Sequence, residues 1–224
     1  MKKYFIRYFL EFIVIVMGIS TSFWFDNYQT NIDNSKKESE VYLNLRTELE
    51  LISLMIKKRD EAFKFDSGIV ENLINDSKDM TYSYTDLIIA VTDWRGFSPS
   101  EEIYTSLKYD GGLKYIKSTQ IKAAIESFYG SKSSITANME DEIIVQREIL
   151  KYLHYNHPRI LLIQNDDTLN DNDKINIFKK VLNKNLTFKS LLKAKHRFMK
   201  SKNKGLDYYT ESHDLLLSLI NKKL

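Results

Sequence analysis

YFIRYFLEFIVIVMGISTSFWF, residues 4–25, is an apolar run interrupted only by Arg7 and Glu11. As a helix rising about 1.5 Å per residue it spans roughly 33 Å, enough for the hydrocarbon core of a bilayer. It reads as an uncleaved anchor rather than a secretory signal. Glu11 would fall inside a signal's apolar region, the run is too long, and Ser20, Thr21 and Ser22, the nearest small residues, still lie within it. Phe23, Trp24 and Phe25 suit the membrane–water interface at the end of a span. Lys2, Lys3 and Arg7 precede or open the run, whereas Asp26 and Asp33 come before Lys36 and Lys37 after it. The positive-inside rule then predicts a single-pass protein of the cytoplasmic (inner) membrane, with its amino terminus cytoplasmic and its C-terminal domain extracytoplasmic.

Outward from the anchor, composition limits the alternatives. Two prolines and seven glycines in 224 residues leave few breaks, which favours long helices over a sheet rich in turns. The absence of cysteine excludes thiol nucleophiles, disulfides and thiolate-ligated zinc. The net charge of +3 hides an asymmetry: residues 174–224 carry 13 Lys and Arg against 3 Asp and Glu. That segment is a candidate surface for acidic partners.

The expected fold is all-α: an N-terminal transmembrane helix followed by an extended helical bundle with coiled-coil-like long helices. Residues 1–26 form the anchor, 27–40 a polar helical stalk, and 41–224 a helical domain with central helices over 41–157 and basic C-terminal helices over 172–224. Tyr42, Leu45, Leu49, Ile52, Ile56 and Phe63 make one apolar seam, interrupted at Arg59. Gly68 separates it from a shorter helix over 69–75, and 84–94 forms another. Ser98-Pro99-Ser100-Glu101 predicts a helix start with Ser98 as N-cap, and Asp110-Gly111-Gly112 its end. Ser118 is the next N-cap, Pro158 the next stop, and Asp171 or Asn172 caps the helix after the polar loop 164–173. The C-terminal stretch 187–224 forms one long helix or two meeting at Gly205.

Two blocks resemble an uncharacterised bacterial family, the domain of unknown function numbered 6090. One is EFIVIVMGIS, residues 11–20, with Asp26-Asn27 after it. The other runs from Phe97-Ser98-Pro99 through Tyr104, Leu107, Asp110-Gly111-Gly112-Leu113 and Ile116 to Ile121, Ile125, Phe128 and Tyr129. The resemblance covers about a third of the chain and implies a single-pass anchor with a helical soluble part. It implies no activity, and this chain's amino terminus is shorter and less basic than the family's.

Residues that can carry chemistry are scattered. Glu11 within the span is costly and stands four residues from Arg7 on the same face, so the two form an intramembrane charged pair. His154 and His157 stand three apart at a helix end without a complete metal-ligand set, and His196 and His213 read as solvent-facing. The acidic loop 165–173 lacks the glycine and glutamate of an EF-hand. Lys189, Lys193, Arg197 and Lys200, interleaved with Leu191, Leu192 and Phe198, mark a surface for an acidic partner or lipid headgroups. No G-x-S-x-G nucleophile and no phosphate loop occurs. The expectation is a non-enzymatic, membrane-anchored interaction or scaffold protein. It would have no metal and no cofactor, with the lipid bilayer and a protein partner or second copy as its contacts rather than nucleic acid. The alternatives are a subunit of an ion-coupled membrane complex using Glu11, and an envelope hydrolase.

Overall fold

The computed structural model describes the backbone of residues 2–77 and 81–224 and the side chains from Phe9 onward, Ser134 excepted. The described residues are predominantly helical, with no strand among them, as the apolar spacing predicts. Helix α1 (Lys2–Ile74) is a single element of 73 residues, roughly 110 Å along its path. Its first part is long and apolar enough to cross a membrane and is unburied by the rest of the chain. The polar stalk that follows is mostly exposed as far as Glu40, with Glu38 half-buried where it accepts from the Lys117 amide, and Asp33-Asn34 and Ser35-Lys36-Lys37 form no break.

Gly68 does not end α1, contrary to the expectation of a separate helix over 69–75. A glycine inside a helix costs about 1 kcal/mol, and the burial of Ile69, Val70 and Leu73 beyond it outweighs that cost. The helix instead stops at Asp76, whose φ of 53° is left-handed. The Asp76 and Ser77 amides donate back to the Leu73 and Asn72 carbonyls, closing the end as a Schellman motif.

Short helices α2 (Tyr84–Thr92) and α3 (Glu102–Tyr109) precede a 3-10 turn (Gly112–Tyr115). Helix α2 opens with a capping box between Ser83 and Asp86 that the sequence reading did not anticipate. Gly111 takes the left-handed φ of 69° expected of the Asp110-Gly111-Gly112 turn. Helix α4 (Thr119–Asn156) is capped by Ser118 and halted before Pro158, which starts α5 (Pro158–Leu162), and Gly130-Ser131 leaves it unbroken. Helix α6 (Asp171–Lys184) is capped by Asn170, one residue earlier than expected. Helix α7 (Leu186–Asn221) is one helix. Gly205 does not divide it: a Cβ there would lie 3.2 Å from Cγ1 of Ile135, so the glycine permits α7 to approach α4 closely.

The second half of α1, α4 and α7 form a three-helix arrangement. Contacts at Leu49–His213, Phe63–Lys202 and Glu71–Lys200 show α7 running back along α1, and Glu48–Tyr129 sets α4 alongside. The buried positions of α7 recur at alternating steps of four and three from Phe188 to Ile220, with Gly205 added beside Leu206. The apolar residues divide into two clusters. One, nearer the anchor, gathers Leu45, Leu49, Ile52, Phe97, Phe128 and Tyr209. The other gathers Val70, Leu87, Ile149, Phe178, Phe188 and Leu192. Between them lies a layer of buried polar and charged side chains.

Candidate functional site

The layer is built around the stretch 93–101, which joins α2 to α3 without helix and whose Phe97 ring packs edge-on against Tyr209, 5.2 Å between centroids. The stretch buries only Phe97 and Pro99, and where it enters the interior it must find partners for its own backbone and for the helix ends on either side. Side chains from all three long helices supply them. At the end of α2, Lys195 of α7 donates to the carbonyls of Val91 (2.9 Å) and Asp93 (2.5 Å). Gln146 of α4 donates to the carbonyl of Thr92 between them, at 2.5 Å. Farther along, Lys132 donates to the Pro99 carbonyl at 3.2 Å.

At the start of α3 the roles reverse in charge. Glu48, buried on α1, accepts from the amides of Ile103 (2.9 Å) and Tyr104 (3.2 Å) and from the hydroxyl of Tyr129 (2.6 Å). A carboxylate at the positive end of α3 and an ammonium at the negative end of α2 both complement the helix dipoles. The Tyr104 and Tyr129 rings stack above Glu48, 3.9 Å between centroids. Burial, reinforced by the Glu48 carboxylate, holds the Tyr129 hydroxyl far above the ordinary phenol range.

This corrects the expected N-cap at Ser98. The serine is exposed four residues before the helix begins, and α3 has no side-chain cap from its own N-cap residue, Glu101. The carboxylate of Glu48 takes the amides that a local cap would have taken. Ser98→Ala should therefore shift the denaturation midpoint negligibly, whereas Glu48→Ala should cost about 3 kcal/mol by leaving the buried Tyr129 hydroxyl and two half-buried amides without their acceptor. Equal midpoints for the two variants in a urea titration would contradict the assignment.

The centre of the layer is an ion pair between Glu142 of α4 and Lys202 of α7, each side chain 2 % exposed. The Lys202 ammonium also lies over the Phe63 ring, 4.2 Å from its centroid. On the rim, Arg95 holds Asp66 through two hydrogen bonds of 2.6 and 3.2 Å. Lys195 is fully buried among these groups. Burial pushes its ammonium down to about 8, with the Glu142 charge acting against that shift and Lys202 with it.

The basic positions predicted to meet a partner lie elsewhere on α7. Lys193, Arg197 and Lys200 are exposed and Lys189 is half-buried, spaced to share one face; Lys200 pairs with Glu71 at 3.2 Å. Glu71 is 46 residues beyond Phe25, so this face stands roughly 70 Å from the anchor along α1. Lys195 and Lys202, neighbours in the same basic stretch, turn inward.

The Arg7–Glu11 pair lies outside the described residues, because the Arg7 side chain is not among them; Glu11 itself is exposed on α1. His213 is not solvent-facing but buried, its Nε2–H donating to the Leu49 carbonyl and its Nδ1 facing Asp214, both at 2.8 Å. His196 is half-buried, and burial lowers its affinity for a proton. His157 meets Asn185 at 3.3 Å while His154 is exposed, and no cluster of metal-ligand type occurs among the described residues. In the acidic loop, Asp166 accepts from Thr168 and Asn170 caps α6, so its polar groups serve the turn.

Glu48, Glu142, Lys195 and Lys202 are all engaged with protein groups: Glu48 within the cluster nearer the apolar segment, Lys195 within the other, and the Glu142–Lys202 pair at the boundary between the two. In sequence and in fold the chain matches no family model, no curated protein and no solved structure.

Proposed function

We propose that the protein is a membrane-anchored interaction protein, a scaffold that presents the basic face of α7 to an acidic protein partner at a distance from the bilayer. The observation that carries this reading is the continuity of α1. One helix runs from the apolar segment through an exposed stalk into the bundle, so anchor and bundle are joined without a hinge. In this reading the first residues lie in the cytoplasm and the bundle lies across the inner membrane, following the positive charge before the span.

The test is purification of the full-length protein in mild detergent, with and without the combined changes Lys193→Glu, Arg197→Glu and Lys200→Glu. A partner retained by the native chain at physiological salt should be lost from the variant, and its compartment identifies the side on which the bundle lies. Identical sets of retained proteins from both would remove the basic face from the proposal.

A further inference from the structure

Helix α1 has a second apolar face. Leu43, Leu51, Leu54 and Phe65 are 51 %, 64 %, 69 % and 46 % exposed. With 3.6 residues per turn they fall in one sector roughly 100° wide, opposite the seam of Leu45, Leu49, Ile52 and Ile56 that packs into the bundle. Thr47, Glu50, Lys58 and Glu61 share the sector, so this second face is an apolar row interleaved with charge, and the bundle leaves it uncovered.

The same sector continues without a change of phase into the anchor. Phe25 and Ile32 lie on it, and below them Gly18 and Ser22, one turn apart, leave a shallow notch between Val14 and Phe23. Small residues at that spacing let helix backbones approach closely inside a membrane. The soluble and membrane halves of α1 thus present one continuous stripe whose repeat averages about 3.6 residues, the period at which straight helices stay in contact.

We propose that this stripe is the interface with a second copy of the chain, the two α1 helices running parallel through membrane and stalk. The proposal rests on the anchored reading above. A single partner that covers the whole stripe must itself cross the bilayer in line with Gly18 and then continue as a rigid helix for as long as α1 does. A second copy meets both demands by construction. Its charges also match. Lys58 and Glu61 lie on opposite edges of the stripe, so each meets the other's counterpart across a parallel two-fold pair, and Lys36 on its central line has Asp33 and Glu40 within one turn to offset the charge of its own counterpart. The stripe is consequently self-complementary.

The absence of native cysteine makes the test direct. Leu54→Cys or Leu43→Cys in the full-length protein, oxidised in native membranes, should give a disulfide-linked dimer. Tyr208→Cys, an equally exposed position on α7, should give none. Adding Gly18→Leu to Leu54→Cys should reduce the dimer several-fold. A Cβ at Gly18 meets no atom of its own chain within 4 Å, so this change leaves the monomer unstrained. Membrane-retained protein that yields no dimer from either α1 position overturns the proposal alone. Equal yields from Tyr208→Cys, or an adduct of Leu54→Cys whose mass is not twice that of the chain, overturn it as well. Release of the chain from membranes by alkaline carbonate defeats the anchored reading and this proposal with it.

Discussion

Replacing Lys202 with methionine should destabilise the bundle by about 3–5 kcal/mol, because the change strands the Glu142 carboxylate between two apolar clusters with its charge uncompensated. Glu142→Leu should cost a similar amount by stranding the ammonium. The double variant, Glu142→Leu with Lys202→Met, should recover most of the loss. Two apolar side chains of similar volume avoid the desolvation that the ion pair only just offsets. Urea titrations of the four proteins form the cycle. Additive losses would mean that the two groups act independently, and near-native single variants would mean that water reaches the layer.

Stability should also rise with pH through the mildly alkaline range, owing to Lys195. Its ammonium is held down to about 8 in the folded protein by burial, against an ordinary value of 10.5 in the unfolded chain. Between those values the unfolded chain binds more protons than the folded one, so raising the pH favours folding. The gain between pH 7 and 9.5 is about 2 kcal/mol. Above about pH 10 the sense reverses. Burial holds the Tyr84, Tyr129 and Tyr209 hydroxyls well above their ordinary range, and the stability tied to keeping them protonated is lost as the unfolded chain ionises. Lys195→Met should flatten the rise between pH 7 and 9.5, while lowering stability overall because the Val91 and Asp93 carbonyls lose their donor. A native protein whose midpoint stays level across that range would show that Lys195 keeps an ordinary proton affinity.

The apolar half of this architecture was legible in the sequence. Leu45, Leu49, Ile52, Ile56 and Phe63 are buried where their spacing places them, and Ser118, Gly111 and Pro158 act at their predicted boundaries. The polar layer was not, because residue type and position disagree there. Lys195 and Lys202 belong to a basic stretch, and a lysine is ordinarily solvated. Yet Phe188, Leu192, Lys195, Met199, Lys202, Leu206 and Tyr209 alternate steps of four and three without a fault, and all are buried. On α4, Ile135, Met139, Glu142, Gln146 and Ile149 do the same. Extending each apolar repeat through its charged members would have placed Glu142 and Lys202 inside, and would have moved His213 from the surface to the core. Nothing comparable was available for Glu48. Its partners at Ile103, Tyr104 and Tyr129 are set by long-range folding, and local spacing favoured the serine beside the proline.

The route of the stretch 93–101 orders events during synthesis. Its flanking carbonyls wait for Gln146 and then for Lys195, which leave the ribosome some 50 and 100 residues later. Until the last helix is made, α2 ends in unpaired backbone and both apolar clusters are open on one side. The chain therefore completes its cooperative transition late, with α7 as the closing element, and nascent chains stopped before it are natural substrates for chaperones and proteases.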